Sequence, residues 1–307
     1  MAEGKRLEKE SSGATSIAEE RFSHLVRTHP CLSGEAHARN GRLHLPVSPS
    51  CNIQCNFCGR GFNKWAQVPG VARSLVKPDG AVGIVERALE LCPEITVVGI
   101  AGPGDPLASN HALRAFELVH ERFPHLLLCV STNGLRLIDK AEEIARVGVR
   151  SVTVTVNGVD PEIVGRIVGT VVYGGQVMTG TQAASILISR QLEGIRKMNE
   201  LGVLVKINTV LIPEVNAHHI GDVARATAEA GALRVNVIPL IPQNGFASCS
   251  APTCDELQQA REAAEQHLEV FRHCQHCRAD ACGIPGVGRD FGKELYDTQV
   301  PNTFSHG

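Results

Sequence analysis

Cys51, Cys55 and Cys58 lie together in SPSCNIQCNFCGRG, residues 48–61, with spacing C-x3-C-x2-C and no fourth cysteine close by. Three thiolates on one short loop are soft ligands, suited to zinc or to an iron–sulfur cluster. A closed zinc site takes four ligands and usually shows paired C-x2-C spacings. The other use is to bind three irons of a four-iron cluster, leaving the fourth iron a coordination position for a small molecule. Further metal-binding residue types are spread along the chain: Cys31 in THPC, His44 in GRLHLP, Cys129 in LLLCVS, and Cys274, Cys277 and Cys282 in HCQHCRADAC.

Such a loop needs a frame. Short runs rich in Val, Ile and Leu at 43–48, 95–100, 126–131, 151–156, 203–211 and 233–240 read as six strands. Between them, segments such as AVGIVERALELC, NHALRAFELVHERF and HHIGDVARATAEAG carry apolar residues three and four apart and read as helices. A final helix is expected over about 253–272, opened by Thr253 and Glu256 at capping-box spacing. A repeated strand–helix unit implies parallel strands with right-handed crossovers, in an open doubly wound sheet or a barrel. In both, ligands gather at the carboxyl ends of strands. CNIQC follows the first strand there, AGPGDPL the second, TNG the third and NGVDPE the fourth.

In GIAGPGDPL, residues 99–107, Gly102 and Gly104 lack a Cβ and let a ligand approach the backbone, with Asp105 beside them. The plain alternative is a tight loop stiffened by Pro103 and Pro106. It is not a dinucleotide fingerprint, because Pro follows Gly102 and no helix opens there. Plain readings exist for the scattered ligands too. Cys129 in an apolar strand is equally a small core residue, His44 a core histidine, Cys274 with Cys277 a zinc half-site or redox pair, and Cys282 a packed residue. Cys92, Cys249 and Cys254 carry no evident metal role.

The chain has 307 residues, 43% hydrophobic and 20% charged, which suits one large globular domain. Lys plus Arg number 30 against 32 for Asp plus Glu, so nothing suggests a nucleic-acid footprint or an electrostatic membrane anchor. Eleven cysteines are an odd number, and the N-terminus shows no charged stretch followed by an apolar one. A reduced, cytoplasmic setting follows, in which clustered cysteines bind metal or do redox chemistry.

The C-x3-C-x2-C loop after the first strand of such a repeat resembles the radical S-adenosylmethionine (SAM) superfamily. There the unique iron of a [4Fe-4S] cluster chelates SAM, and one-electron transfer into the sulfonium yields a 5′-deoxyadenosyl radical. The resemblance makes Cys51, Cys55 and Cys58 the cluster ligands and Phe57 the neighbouring aromatic. It implies cofactor-binding roles for Gly102, Gly104, Asp105, Thr132, Asn133, Asn157, Lys206 and Asn208. It also implies a partial (βα)6 TIM-like barrel whose open end is covered by N- and C-terminal extensions.

Taken together, THPCLSGEAHARNGRLHLPVSPSCNIQCNFC, GIAGPGDPL, LCVSTNGL, VKINTVLIP and HCQHCRADACG resemble the NifB family, which builds the core of the nitrogenase cofactor. In that family two auxiliary [4Fe-4S] clusters beside the SAM site are fused into an eight-iron core with a SAM-derived carbide. The resemblance assigns Cys31, His44, Cys129, Cys274 and Cys277, with Cys282 as a further candidate, to the auxiliary clusters. Arg278 and Asp280 of CRAD become candidates for proton or ligand exchange, or else an ion pair that anchors the tail. Implied partners are iron–sulfur cluster donors, an electron donor such as ferredoxin or flavodoxin, and a cofactor carrier or scaffold. The rivals are a radical SAM enzyme acting on a peptide or small organic substrate, and a non-catalytic iron–sulfur carrier.

One segment departs from the family. Its members usually carry another cysteine beyond the third motif cysteine, followed by E-x-R-P, whereas this chain has GRGFNKWAQVPG, with Lys64 near the cysteine position and Ala66 and Val68 before Pro69. The domain expectation is a leader over 1–20, an extension over 21–43, the barrel over 44–250, a C-terminal helix and cluster motif over 251–290, and a surface tail over 291–307, as a stand-alone form with no appended carrier domain.

Overall fold

A computed structural model describes residues 20–63, 65–66, 68–274 and 276–296. Lys64, nearly all of the expected leader and the end of the expected tail lie outside them. The central sheet has eight strands: β1 (Gly41–His44), β2 (Ile95–Ile100), β3 (Leu127–Thr132), β4 (Val149–Thr155), β5 (Leu204–Leu211), β6 (Arg234–Pro239), β7 (Glu269–Val270) and β8 (Cys282–Gly283). Between them run helices α1 (Ala81–Leu91), α2 (His111–Arg122), α3 (Leu137–Arg146), α4 (Gly180–Glu200), α5 (Ile220–Glu229) and α6 (Cys254–Glu265).

Strands β1 to β7 lie side by side in chain order and pair in parallel. With no reversal of order there is no switch point, so every crossover turns the same way and the sheet winds as a barrel wall instead of an open doubly wound sheet. The wall does not close. Strand β8 pairs antiparallel with β1 at one edge, and two-residue β7 covers β6 at the other. Five of the six expected strands are present within about two residues of their expected ends, while the first, expected over 43–48, spans Gly41–His44 and stops four residues early.

Alternation along the strands explains the cavity. In β4, Val152 and Val154 belong to the apolar core, while Thr153 and Thr155 line the interior. In β5, Val205 and Ile207 face the core and Lys206, Asn208 and Val210 the interior; in β6, Val235 and Val237 oppose Asn236 and Ile238. Period-two alternation therefore places the apolar side in the main core and leaves a polar inner wall. On the helical side, Phe116, Leu113, Ile144 and Ile195 are buried, each contributing about 1.5–3 kcal/mol.

The structure differs from expectation at the C-terminus. Thr253 caps α6 with the expected box, its side chain accepting from Glu256 N, but the helix stops at Glu265, and 269–270 becomes strand β7. The first residues of the expected surface tail are packed instead. Phe291, Leu295 and Tyr296 are buried, and the Tyr296 hydroxyl donates to the His44 carbonyl at 2.8 Å. A small antiparallel sheet, Ile53–Cys55 with Val168–Tyr173 and Gln176–Met178, was not expected from the sequence. Among the described residues no helix is long and apolar enough to cross a membrane.

Candidate functional site

A cavity of about 330 Å³ runs from the middle of the barrel to the carboxyl ends of the strands. Cys51, Cys55 and Cys58 line it as one group of electrostatic neighbours, and Cys31, Cys129, Cys274 and Cys277 as a second group around Cys31, with His44 also in the lining. None of these cysteines is in a disulfide. Among the described residues no three His, Cys, Asp or Glu side chains converge on a single-ion site. Thiols that share a cavity this size without converging on one point suit a polynuclear group better than mononuclear zinc.

The three-cysteine loop is held by the glycine segment beside it. Gly104 N donates to Ser48 O at 2.9 Å and Asp105 N to Ser50 O at 2.8 Å. The Asp105 carboxylate is buried and accepts from Leu107 N (2.9 Å) in its own loop and from the Thr132 hydroxyl (2.9 Å) and Asn133 N (2.6 Å) after β3, so that with its backbone bond to Ser50 this residue ties three strand-end loops together. Burial keeps its pKa above the ordinary carboxylate value despite those donors. The Asn133 amide reaches Asn52 Oδ1 at 2.7 Å and Cys51 Sγ at 3.8 Å. Cys55 ends a strand paired with Val168, and Cys58 N donates to Cys55 O at 3.1 Å. Gln243 donates to the Phe57 carbonyl at 2.9 Å. Burial pushes the Cys51 thiol up to about 11 and Cys55 well above the usual thiol range. Without a metal these groups are neutral; binding iron would displace their protons.

Of the other residues assigned to cofactor binding, Gly104, Asp105, Thr132, Asn133, Asn157, Lys206 and Asn208 line the cavity, and Gly102 does not. Gly102 instead serves the turn: its φ is +148°, and a Cβ there would lie 3.0 Å from Ala279 Cβ. Asn157 Oδ1 accepts from Val210 N at 2.9 Å, and Asn208 Oδ1 from Asn236 at 3.3 Å.

Around the second group, sheet register does the positioning. His44, Gly99 and Cys129 are Cα partners across β1, β2 and β3, so His44 and Cys129 stand on one row, about 10 Å apart at the backbone. Gly99 leaves the space between them clear; a Cβ there would lie 3.1 Å from the His44 ring. His44 Nδ1 is 2.9 Å from the Arg278 carbonyl, which only accepts. Nδ1 therefore carries the proton and Nε2 keeps its lone pair, the tautomer of a metal ligand. Burial, with the charge of Arg42, lowers the His44 pKa to about 4, so the ring is neutral. Burial raises Cys31 to about 11 and Cys129 to about 12, with Lys206 opposing both.

Four cavity features went unnoticed in the sequence. His29 accepts from Cys31 N at Nδ1 (3.1 Å), which leaves a buried Nε2–H with no partner. Arg42, on β1 two residues before His44, donates to Gly283 O at 2.7 Å and to Cys277 Sγ at 3.1 Å. Gln191 of α4 bridges Asn133 O (2.7 Å) and Thr155 O (2.9 Å). Gln243 is the fourth. Only the HPC tripeptide offered a local signal, because the others act across long sequence separations.

Three expectations are corrected. Arg278 and Asp280 do not line the cavity. They form a buried ion pair, Nε to Oδ1 at 2.8 Å, joined by Arg73 at 3.1 Å, with Arg278 also donating to the carbonyls of Ala66 and Asn63. The charges are consumed in fastening the C-terminal motif to the 63–73 segment, the anchoring role. Cys282 sits in the apolar core on β8, fully buried, where burial pushes its thiol to about 12; it packs and does not face the cavity.

The Radical SAM superfamily profile matches residues 45–227. The sequence is 42% identical to the FeMo cofactor biosynthesis protein NifB of Methanocaldococcus infernus, over 86% of this chain and 88% of that protein. It is 43% identical to NifB of Klebsiella pneumoniae over 89% of this chain and 59% of that one. The fold is similar to a radical SAM methyltransferase from Sphaerobacter thermophilus, with a TM-score of 0.53 and 18% identity over 75% of this chain and 64% of that one. The chain is thus a radical SAM enzyme and belongs to the NifB family.

Proposed function

We propose that this chain acts in nitrogenase cofactor biosynthesis, joining two four-iron clusters with a SAM-derived carbon and a further sulfur into an eight-iron precursor. The observation that carries this reading is that one cavity is lined by both thiol sets, the motif cysteines and a second group around Cys31. Cys51, Cys55 and Cys58 would hold the [4Fe-4S] cluster that chelates SAM. When bound, that cluster supplies the electron that splits a carbon–sulfur bond of SAM.

The chain's own residues have separable tasks. The Asp105 hub fixes the loops on which Cys51 and Asn133 stand, so SAM meets a pre-shaped wall. Cys31, His44 and Cys129 would hold one substrate cluster, and Cys274 with Cys277 the other. His44 offers a neutral nitrogen among thiolates, and an uncharged ligand leaves iron more readily than a thiolate does. Fusion needs such unequal ligands, since one cluster must stay held while bonds to the other are exchanged.

The reading calls for an iron–sulfur donor, a one-electron donor such as ferredoxin or flavodoxin, and a carrier that takes the product. Its test is iron and sulfide content after anaerobic reconstitution, paired with an assay for 5′-deoxyadenosine. Three clusters per chain with SAM cleavage support it. A single cluster would leave an enzyme for an organic substrate.

A further inference from the structure

The Cys31 side of the cavity contains two buried cations with no carboxylate against them. Lys206 is 4% exposed; its Nζ donates to Cys31 O at 3.0 Å and lies 4.7 Å from the centre of the Phe271 ring. Arg42 is 7% exposed; it donates to Gly283 O and to the Cys277 thiol, and its Nε is buried without a partner. Among the described residues neither makes a salt bridge to an acid, although Asp290 acts on Arg42 from farther away. Asp290 itself accepts from Cys282 N and Gly292 N. Among the described residues the cavity lining contains one carboxylate, Asp105, which is grouped with Cys51 and is committed to Thr132, Asn133 and Leu107. His29 adds an unpartnered, buried Nε2–H to the same side.

A buried cation without a counter-charge is costly, and two in one cavity repel. A protein that keeps both has an anion to match them in its working state. An iron–sulfur core is such a guest: once offset by two thiolates it becomes anionic on gaining an electron or a further sulfide. Its sulfides also accept N–H hydrogen bonds, and net charge and such bonds set cluster potentials.

We propose that Lys206, bonded at the Cys31 carbonyl, and Arg42, bonded to Cys277 Sγ, are built-in counter-charges for the auxiliary clusters on this side of the cavity, positioning residues that favour their reduced, more negative forms and retain them there. The proposal rests on the reading of this side as a cluster site. It differs from a purely structural role in sign. If Lys206 merely caps the Cys31 carbonyl, removing it weakens the protein with or without iron. If it awaits an anion, removing it relieves the empty cavity and harms only the loaded one.

The experiment uses the full chain with Cys51, Cys55 and Cys58 replaced by alanine, so that iron loads only the auxiliary sites. Lys206→Met, Lys206→Arg and Arg42→Gln are compared in that background. For Lys206→Met and Arg42→Gln we expect a reduction equilibrium displaced about tenfold or more toward the oxidised cluster, a drop in midpoint potential of about 59 mV for one electron. Iron retention after chemical reduction should fall by more than half, and the melting temperature of the iron-free protein should rise for Lys206→Met. Lys206→Arg should keep potential and retention near the parent values. An unchanged potential in loaded Lys206→Met and Arg42→Gln would overturn the proposal, as would a lower iron-free melting temperature for Lys206→Met. If the parent with both cations intact holds no iron, the cluster reading of this side fails first and takes the proposal with it.

Discussion

Gly104 and Ser50 are in backbone contact: a Cβ on Gly104 would lie 2.5 Å from the Ser50 carbonyl carbon and 2.9 Å from its amide nitrogen. The glycine segment thus meets the cysteine loop directly, and the two are bonded by Gly104 N to Ser48 O and Asp105 N to Ser50 O. No L side chain fits between them. Gly104→Ala should force the strands of backbone apart, lowering stability by about 1–3 kcal/mol and SAM cleavage by far more than that loss explains. Thermal unfolding of the iron-free protein and 5′-deoxyadenosine yield would check this; near-normal yield would show that the loop contact does not position Cys51.

Cys55→Ser removes a thiolate from the SAM-side set alone. SAM cleavage should fall to background while iron bound on the Cys31 side persists. Replacing Cys274 and Cys277 together should have the complementary effect, a loss of about one cluster with SAM binding kept. Iron content and SAM binding measured on both variants separate the two sides of the cavity. If the Cys55→Ser protein cleaves SAM at the parent rate, the motif assignment is wrong.

How much of this was legible in the sequence depends on distance along the chain. The strands could be read because their alternation is local: SVTVTV and VNVI carry polar residues at every second position, which marks an inner wall as well as a strand. The cysteine loop was legible from spacing. The links that make a site of these parts were not, because Arg42 to Cys277 spans 235 residues and His44 to the Arg278 carbonyl 234. Arg278 and Asp280 resembled catalytic residues by type, and only burial and partners show them as an anchor. The stop of α6 at Glu265 was missed because charged and apolar residues continue beyond it while the chain turns to join β6.

The anchor makes a prediction of its own. Asp280→Asn leaves Arg278 and Arg73 buried without their shared counter-charge, and Arg278→Met leaves Asp280 with less of its compensation. Each should cost about 3–5 kcal/mol in denaturant unfolding. Protein that does fold at low temperature should still cleave SAM, because neither residue lines the cavity. Folded, iron-loaded Asp280→Asn that has lost cleavage would return the pair to the reaction.

Alkaline stability should report Cys282. Burial raises its pKa from 9.0 to about 12 in the folded protein, so the folded chain holds that proton more tightly than the unfolded one. The stability it contributes is complete below about pH 9 and is lost as pH rises toward 12. Between pH 8 and pH 10.5 the loss from this group is about 2 kcal/mol, from 1.36 kcal/mol per pKa unit. Cys282→Ala should therefore show a shallower decline in unfolding free energy over that interval. An identical slope in variant and parent would place this thiol in a wetter setting than the β8 core.

The most direct test of the central claim supplies SAM with an isotopically labelled methyl group to anaerobically reconstituted protein under reducing conditions, with a sulfur source. A cavity that holds both SAM and substrate clusters should place the label in an extractable iron–sulfur product, alongside 5′-deoxyadenosine. The Cys55→Ser protein should give neither. Vigorous SAM cleavage with all of the label left in organic molecules would contradict cluster assembly and make this chain an enzyme for an organic substrate.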